Sequence, residues 1–258
     1  MRKKYLFIVT SIFFLVACSA QATTSESHHE NKIDLRKKAE IPAEFLPQDL
    51  HVTTLGDSLT EGVGDETDNG GYTLYLKEKF LSQKEFRSVS LLNFGVKGHK
   101  TTDLLKRLDK KKVQEGIAKA DIIIITIGGN DVMKVVRENF LDLSFEVFEN
   151  AQNSYEERLK QILSEIREYN PEGEIVLVGL YNPFESLIDI SSELNEVIDQ
   201  WNSGSLKVLS QYENTNFVKI GDIFKDTDEN LLSTDEFHPN AKGYELISER
   251  IFETLNKE

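Results

Sequence analysis

Four consecutive isoleucines stand at positions 122–125, between Asp121 and Thr126, with a fifth at Ile127. A β-branched run without alternating polar positions has no face to offer water. As a strand it must be covered on both sides. That fits the interior of a parallel sheet with helices above and below it. Four more short apolar runs repeat the pattern, at residues 51–55, 88–94, 174–180 and 215–220, the first stopped by Gly56.

Helical periodicity lies between these runs. Tyr155, Leu159, Ile162, Leu163, Ile166 and Tyr169 share one face of a 3.6-residue repeat; so do Ile190, Leu194, Val197, Ile198 and Trp201, and again Tyr244, Ile247, Ile251 and Leu255. Shorter helical patterns follow Gly71 and Thr101. Strand and helix in alternation imply crossover connections and helices on both faces of the sheet. With no internal repeat and no second shift of composition, residues 45–258 read as one α/β domain. In such a sheet ligands bind where the strands end and the helices begin, so the segments after the strands are where chemistry is expected.

Four blocks fall there. Gly56-Asp57-Ser58-Leu59-Thr60 follows the first strand. A serine on that turn presents its hydroxyl at a helix N-terminus, where backbone N–H groups favour negative charge; the same residues also make a good turn and cap. Asn93-Phe94-Gly95-Val96-Lys97-Gly98 follows the second strand, and either glycine lets a backbone N–H approach a ligand. Gly128-Gly129-Asn130-Asp131 follows the isoleucine strand. Its amide is a ready hydrogen-bond donor, and Asp131 reads as a cap for the helix that starts there. Asp235-Glu236-Phe237-His238-Pro239 precedes the last helix. A carboxylate three residues before a histidine can accept from Nδ1–H, which leaves Nε2 free as a base. Pro239 suits a first helical position, so the helix is expected to start there.

Taken together, and in this order, the blocks resemble the SGNH (GDSL) hydrolase superfamily, whose four lettered residues fall on Ser58, Gly98, Asn130 and His238, with Asp235 as the acid partner. Gly98 is preferred to Gly95 because Thr101 and Thr102 follow it, as a threonine follows the family's glycine. The resemblance implies a three-layer α/β/α sandwich with a five-stranded parallel sheet of flavodoxin-like type, and hydrolysis of carboxylic esters. Ser58 would be the nucleophile, His238 its base and Asp235 the residue that orients the imidazole. The backbone N–H groups of Ser58 and Gly98 and the side chain of Asn130 would form the oxyanion hole. No metal or other cofactor is implied. Lipid or other acyl esters are the expected substrates; acetylated cell-wall or exopolysaccharide glycans are the alternative within the same fold. A non-enzymatic surface receptor is the rival reading, but such receptors usually need two lobes and this chain offers one domain.

Secondary features are assigned by position. His99 adjoins Gly98 and reads either as a pocket residue or as an exposed loop residue; His51 lies in the first strand and is structural. The apolar groups of residues 140–148 read as a flap over an acyl pocket or, as the simpler expectation, as core. Residues 181–184 and Phe237 are expected pocket walls.

The N-terminus carries a different signal. Arg2, Lys3 and Lys4 precede a charge-free, mostly apolar run at residues 5–17, which is too short to span a bilayer and has the proportions of a signal-peptide core. It ends in Leu15-Val16-Ala17-Cys18, which looks like a bacterial lipobox. Residues 1–17 are therefore read as a signal peptide, Cys18 as the lipidated first residue of the mature chain, and residues 18–44 as that cysteine with a flexible tether, of which residues 19 to about 40 span roughly 25 Å root-mean-square. Cys18 is the one cysteine, so no internal disulfide exists and no CxxC site. The chain's net charge is −14, from 30 basic and 44 acidic residues. Cleavage before Cys18 removes three of the basic residues and leaves −17. That balance opposes binding to nucleic acid and to anionic headgroups. The expected protein is a monomer held by its lipid at the outer face of the cytoplasmic membrane.

Overall fold

The structure, a computed structural model, describes residues 46–68, 70–139, 145–185, 191–225, 227 and 229–256. The expected signal peptide, Cys18 and the tether lie outside the described residues. The sheet has five parallel strands: β1 (Gln48–Gly56), β2 (Phe86–Gly95), β3 (Ile122–Thr126), β4 (Glu174–Val178) and β5 (Thr215–Val218). Their order is β2-β1-β3-β4-β5.

The isoleucine run is β3, the central strand, and every residue in it is buried. Side chains alternate across a strand, so the run divides between two cores. Ile123 and Ile125 join Leu104, Ile117, Leu159 and Trp201 on one face. Ile122 and Ile124 join Leu76, Phe80, Tyr244 and Ile247 on the other. The first face is covered by α3 (Thr101–Leu108), α4 (Lys111–Lys119), α5 (Gly129–Glu138), α6 (Phe145–Tyr169) and α7 (Ser191–Leu209). The second is covered by α2 (Tyr72–Leu81) and α8 (Ala241–Leu255), while the four residues of α1 (Ser58–Glu61) follow directly on β1. Each fully buried isoleucine contributes about 1.5–3 kcal/mol by leaving water, which is why one uninterrupted apolar run can anchor both layers.

Strand order decides where a crevice opens. The chain leaves β1 for β2 on one side and returns across it to β3 on the other, so the crossovers diverge between β1 and β3. Ligands in such sheets bind at that divergence, beyond the carboxyl ends of the strands. Gly56 pairs with Thr126 there. Its φ is +142°, and a Cβ would lie 2.0 Å from the Thr126 carbonyl oxygen. Only glycine allows the two strand ends to approach this closely.

Several boundaries differ from expectation by two or three residues, and two of them have a local cause. β4 ends at Val178 rather than Leu180 because Leu180 turns to the side chain of Asn202, which accepts from its N–H at 2.8 Å and donates to its carbonyl at 3.0 Å. The last helix begins at Ala241, not at Pro239. Pro239 is held in an antiparallel bridge with Leu232, and Asn240 is the cap, its side chain accepting from the Gly243 N–H at 2.9 Å.

Candidate active site

Ser58 opens α1 immediately after β1. Asp57 caps that short helix, its carboxylate accepting from the Leu59 N–H at 3.1 Å and from the Thr126 hydroxyl at 2.8 Å. The serine is therefore fixed from both strands of the crevice, and it is 4% exposed. Its Oγ lies 2.9 Å from Nε2 of His238, although 180 residues separate the two.

The histidine comes from a tightly bonded loop. Residues 231–240 fold back on themselves: Ser233 N–H donates to the His238 carbonyl, and Asn240 N–H donates to that of Leu231. Glu236 sits at φ +54°, which lets the loop turn between Asp235 and His238. The Asp235 carboxylate accepts from Nδ1 of His238 at 2.6 Å and from the His238 and Phe237 N–H groups at 2.9 and 3.0 Å, and Ser233 Oγ donates to it at 2.8 Å. Partial burial alone would raise its pKa. The bonds from His238, Ser233 and Phe237 outweigh burial and hold the carboxyl well below the usual range. It stays ionised, and an ionised partner fixes the Nδ1–H tautomer.

Asn130 and Gly98 come from the loops after β3 and β2. The Asn130 amide donates one hydrogen to the His99 carbonyl at 3.0 Å, and Asn130 lines the same pocket as Ser58. Gly98 has φ +80° and an open space where a side chain would stand; its N–H has no partner among the described residues. Gly95 differs. A Cβ there would meet the Glu61 backbone nitrogen at 2.2 Å, and its N–H is taken by Asn93 Oδ1. Gly95 therefore serves close packing of β2 on α1, and Gly98 is the glycine with a free donor.

The pocket beside Ser58 is mainly apolar. Ile127, Val132, Met133, Leu180, Tyr181, Pro183, Leu194, Ile198 and Phe237 line it. Tyr181 donates to the Phe237 carbonyl and stacks on Phe224 with centroids 4.2 Å apart. The expected walls at 181–184 and Phe237 are represented by Tyr181, Pro183 and Phe237. Val132 and Met133 of α5, and Leu194 and Ile198 of α7, were not singled out as pocket residues. Their apolar spacing reads the same whether a helix face meets core or cavity.

Of the expected flap, residues 140–144 lie outside the described residues. Phe148 is buried in the core and Val147 packs against it. His99 is half-buried with Nδ1 unpartnered, and burial, reinforced by nearby lysines and Arg107, lowers its pKa. His51 pairs with Asp121 at the opposite end of the sheet, at 3.3 Å. Among the described residues no group of three His, Cys, Asp or Glu side chains is arranged to hold a metal.

One expectation is corrected. Asp131 does not cap α5; Gly128 does, without a side-chain bond. The Asp131 carboxylate instead crosses to the first turn of α3, where it accepts from the Thr101 N–H at 3.0 Å and the Thr101 hydroxyl at 2.6 Å. A carboxylate at the third helical position of α5 projects sideways, and the open N-terminus of α3 lies beside it.

Residues 54–246 match the model of the GDSL-like Lipase/Acylhydrolase family. The chain is 38% identical to the uncharacterized protein YpmR of Bacillus subtilis, over 98% of this chain and 96% of that one. It is 33% identical to the spore germination lipase LipC of Bacillus licheniformis, over 78% of this chain and 94% of that protein. Among solved structures, the lipase Lip_vut3 from a goat rumen metagenome superposes with a TM-score of 0.68 at 31% identity, over 80% of this chain and 97% of that one. Axe2, an acetylxylan esterase from Geobacillus stearothermophilus, shares the fold with a TM-score of 0.63 at 18% identity, over 82% and 96% of the two chains. The chain belongs to the GDSL-like lipase/acylhydrolase family.

Proposed function

We propose that this protein is a serine ester hydrolase that acts on aliphatic acyl esters. The observation that carries the reading is the continuous hydrogen-bonded path from Ser58 Oγ through His238 to Asp235, opening on an apolar pocket. Ser58 attacks the ester carbonyl as His238 Nε2 takes its proton. Asp235 holds the imidazole and stabilises its charged form. The N–H groups of Ser58 and Gly98 and the second hydrogen of the Asn130 amide bind the oxyanion, a donor set in which each member is typically worth about 10²–10³ in kcat. His238 then protonates the leaving alcohol, and water repeats the cycle to release the acid. The apolar walls from α5 and α7 would hold the acyl chain out of water. On this reading Cys18 is the lipid attachment point and the domain works at the outer face of the membrane; the support for that part is the N-terminal sequence alone.

The test is labelling with a fluorophosphonate, run beside a panel of p-nitrophenyl esters and acetylated glycans. Ser58 is expected to take the label, and butyrate and octanoate esters to be turned over faster than acetate. Ser58→Ala is expected to lose about 10⁶ in kcat while keeping its fold. A folded wild type that neither labels nor cleaves any ester overturns the proposal. Release of acetate from glycans with little turnover of longer acyl esters overturns the substrate class.

A further inference from the structure

Asn130 and Asp131 are neighbours in the first turn of α5, and both side chains reach the short stretch that follows Gly98. Asn130 Nδ2 donates to the His99 carbonyl, while Asp131 accepts from the N–H and hydroxyl of Thr101. Arg158, from the middle of α6, closes the ring: its Nε donates to the Thr101 hydroxyl at 2.6 Å and its Nη2 to Asp131 Oδ1 at 3.1 Å. Thr101 is fully buried and Asp131 is 6% exposed.

None of these three residues lines the pocket at Ser58. They join the stretch after Gly98 to the first turn of α5, from which Asn130 lines the pocket. At Gly98 itself the space a Cβ would fill is open, and the N–H has no hydrogen-bond partner among the described residues. What holds the stretch on the far side is the bond network at residues 99–101; on the near side, Val96 N–H donates to the Gly56 carbonyl and Lys97 N–H to Glu61.

We propose that Asp131, Thr101 and Arg158 form a positioning unit that sets the spacing between the Gly98 N–H and the Asn130 amide. This rests on the reading of those two groups as oxyanion donors. Donors aimed at a developing charge act only if they stand at the right place beforehand, and a displacement of about 1 Å can cost about 10² in rate. The buried carboxylate and the partly buried guanidinium suit that task. Each satisfies the other, and Thr101 lies between them, so the ring has one low-energy arrangement. An ordinary helix cap would need Asp131 and Thr101 alone; the guanidinium brought in from α6 ties a third element to the same point.

The unit is tested by kcat and KM on p-nitrophenyl butyrate, with melting temperature and circular dichroism recorded for each variant. Asp131→Asn removes the charge at nearly constant volume. Thr101→Val removes only the hydroxyl, and it carries the test if Asp131→Asn does not fold. The expected result is a fall in kcat of about ten- to a hundredfold, with KM within about twofold, in folded protein. Thr101→Ser, which keeps the hydroxyl, is expected to restore kcat. Folded variants with a lowered melting temperature and wild-type kcat would reduce the unit to a helix cap and overturn the proposal. A rise in KM at constant kcat would overturn it too, because it would place the loss in substrate binding. Failure of the ester hydrolase reading is separable: it appears in the unmodified protein, as absence of turnover, before any variant is compared.

Discussion

Two carboxylates of the candidate site are driven in opposite directions. Asp235 is held ionised by its bonds to His238, Ser233 and the loop N–H groups, against the effect of partial burial. Asp57 is fully buried, and burial pushes its pKa up from 3.8 to about 7, although the Thr126 hydroxyl and the Leu59 N–H oppose the shift. The consequences for stability have opposite signs. The folded state holds the Asp57 proton more tightly than the unfolded chain does. That contribution is complete below about pH 4 and is lost as pH rises to about 7. The folded state holds the Asp235 proton less tightly, so its contribution is complete above about pH 4 and is lost in acid. Urea unfolding measured across pH is therefore expected to show a decline between about pH 4 and pH 7 that Asp57→Asn flattens, and a loss below about pH 4 that Asp235→Asn reduces. An unchanged pH profile in both variants would refute these assignments. Asp235 and His238 are legible as a pair because they stand three positions apart in the chain. The burial of Asp57 is not, because it depends on Thr126 of another strand.

At the scale of elements, the strand ends and the first turns of helices carry the site, and two glycines there differ in what they tolerate. Gly56 lets β1 meet β3. A side chain there would collide with the Thr126 carbonyl, so Gly56→Ala is expected to cost about 3 kcal/mol or more. Gly98 has a left-handed backbone in open space, so Gly98→Ala meets only the intrinsic backbone penalty of about 1–2 kcal/mol. Urea midpoints of the two variants check the order, and equal losses would refute it. The five strands and the principal helices could be read from periodicity, which is local. Where elements meet could not. Asp131 looks like a cap for its own helix until α3 is seen beside it, and Pro239 looks like a helix start until Leu232 pairs with it. Arg158 stands 57 residues from Thr101, next to the apolar face of α6, with nothing in its surroundings to mark it.

For the whole molecule, the strand order places every residue of the proposed chemistry at one edge of the sheet, brought from the loops after β1, β2 and β3 and the loop before α8. If the chain is cut before Cys18, its net charge of −17 opposes close approach to anionic headgroups by anything but an anchor. The anchor has a direct test. Protein made in a bacterial host from the full sequence and extracted from membranes is expected to begin at Cys18 and to carry the mass of a lipid adduct. A mature chain that begins elsewhere, or carries no adduct, refutes it. The sequence alone determined the layer architecture, because apolar periodicity is a local property of a chain, and it singled out Ser58, Asn130, Asp235 and His238 as candidates through turn residues and a family resemblance. The tertiary structure decided that Ser58 and His238 meet across 180 residues, that Gly98 and not Gly95 has its N–H free, and that Asp131 and Arg158 brace the loops between. Those are long-range facts: they depend on how strands order and helices pack, and on which buried polar group finds which partner.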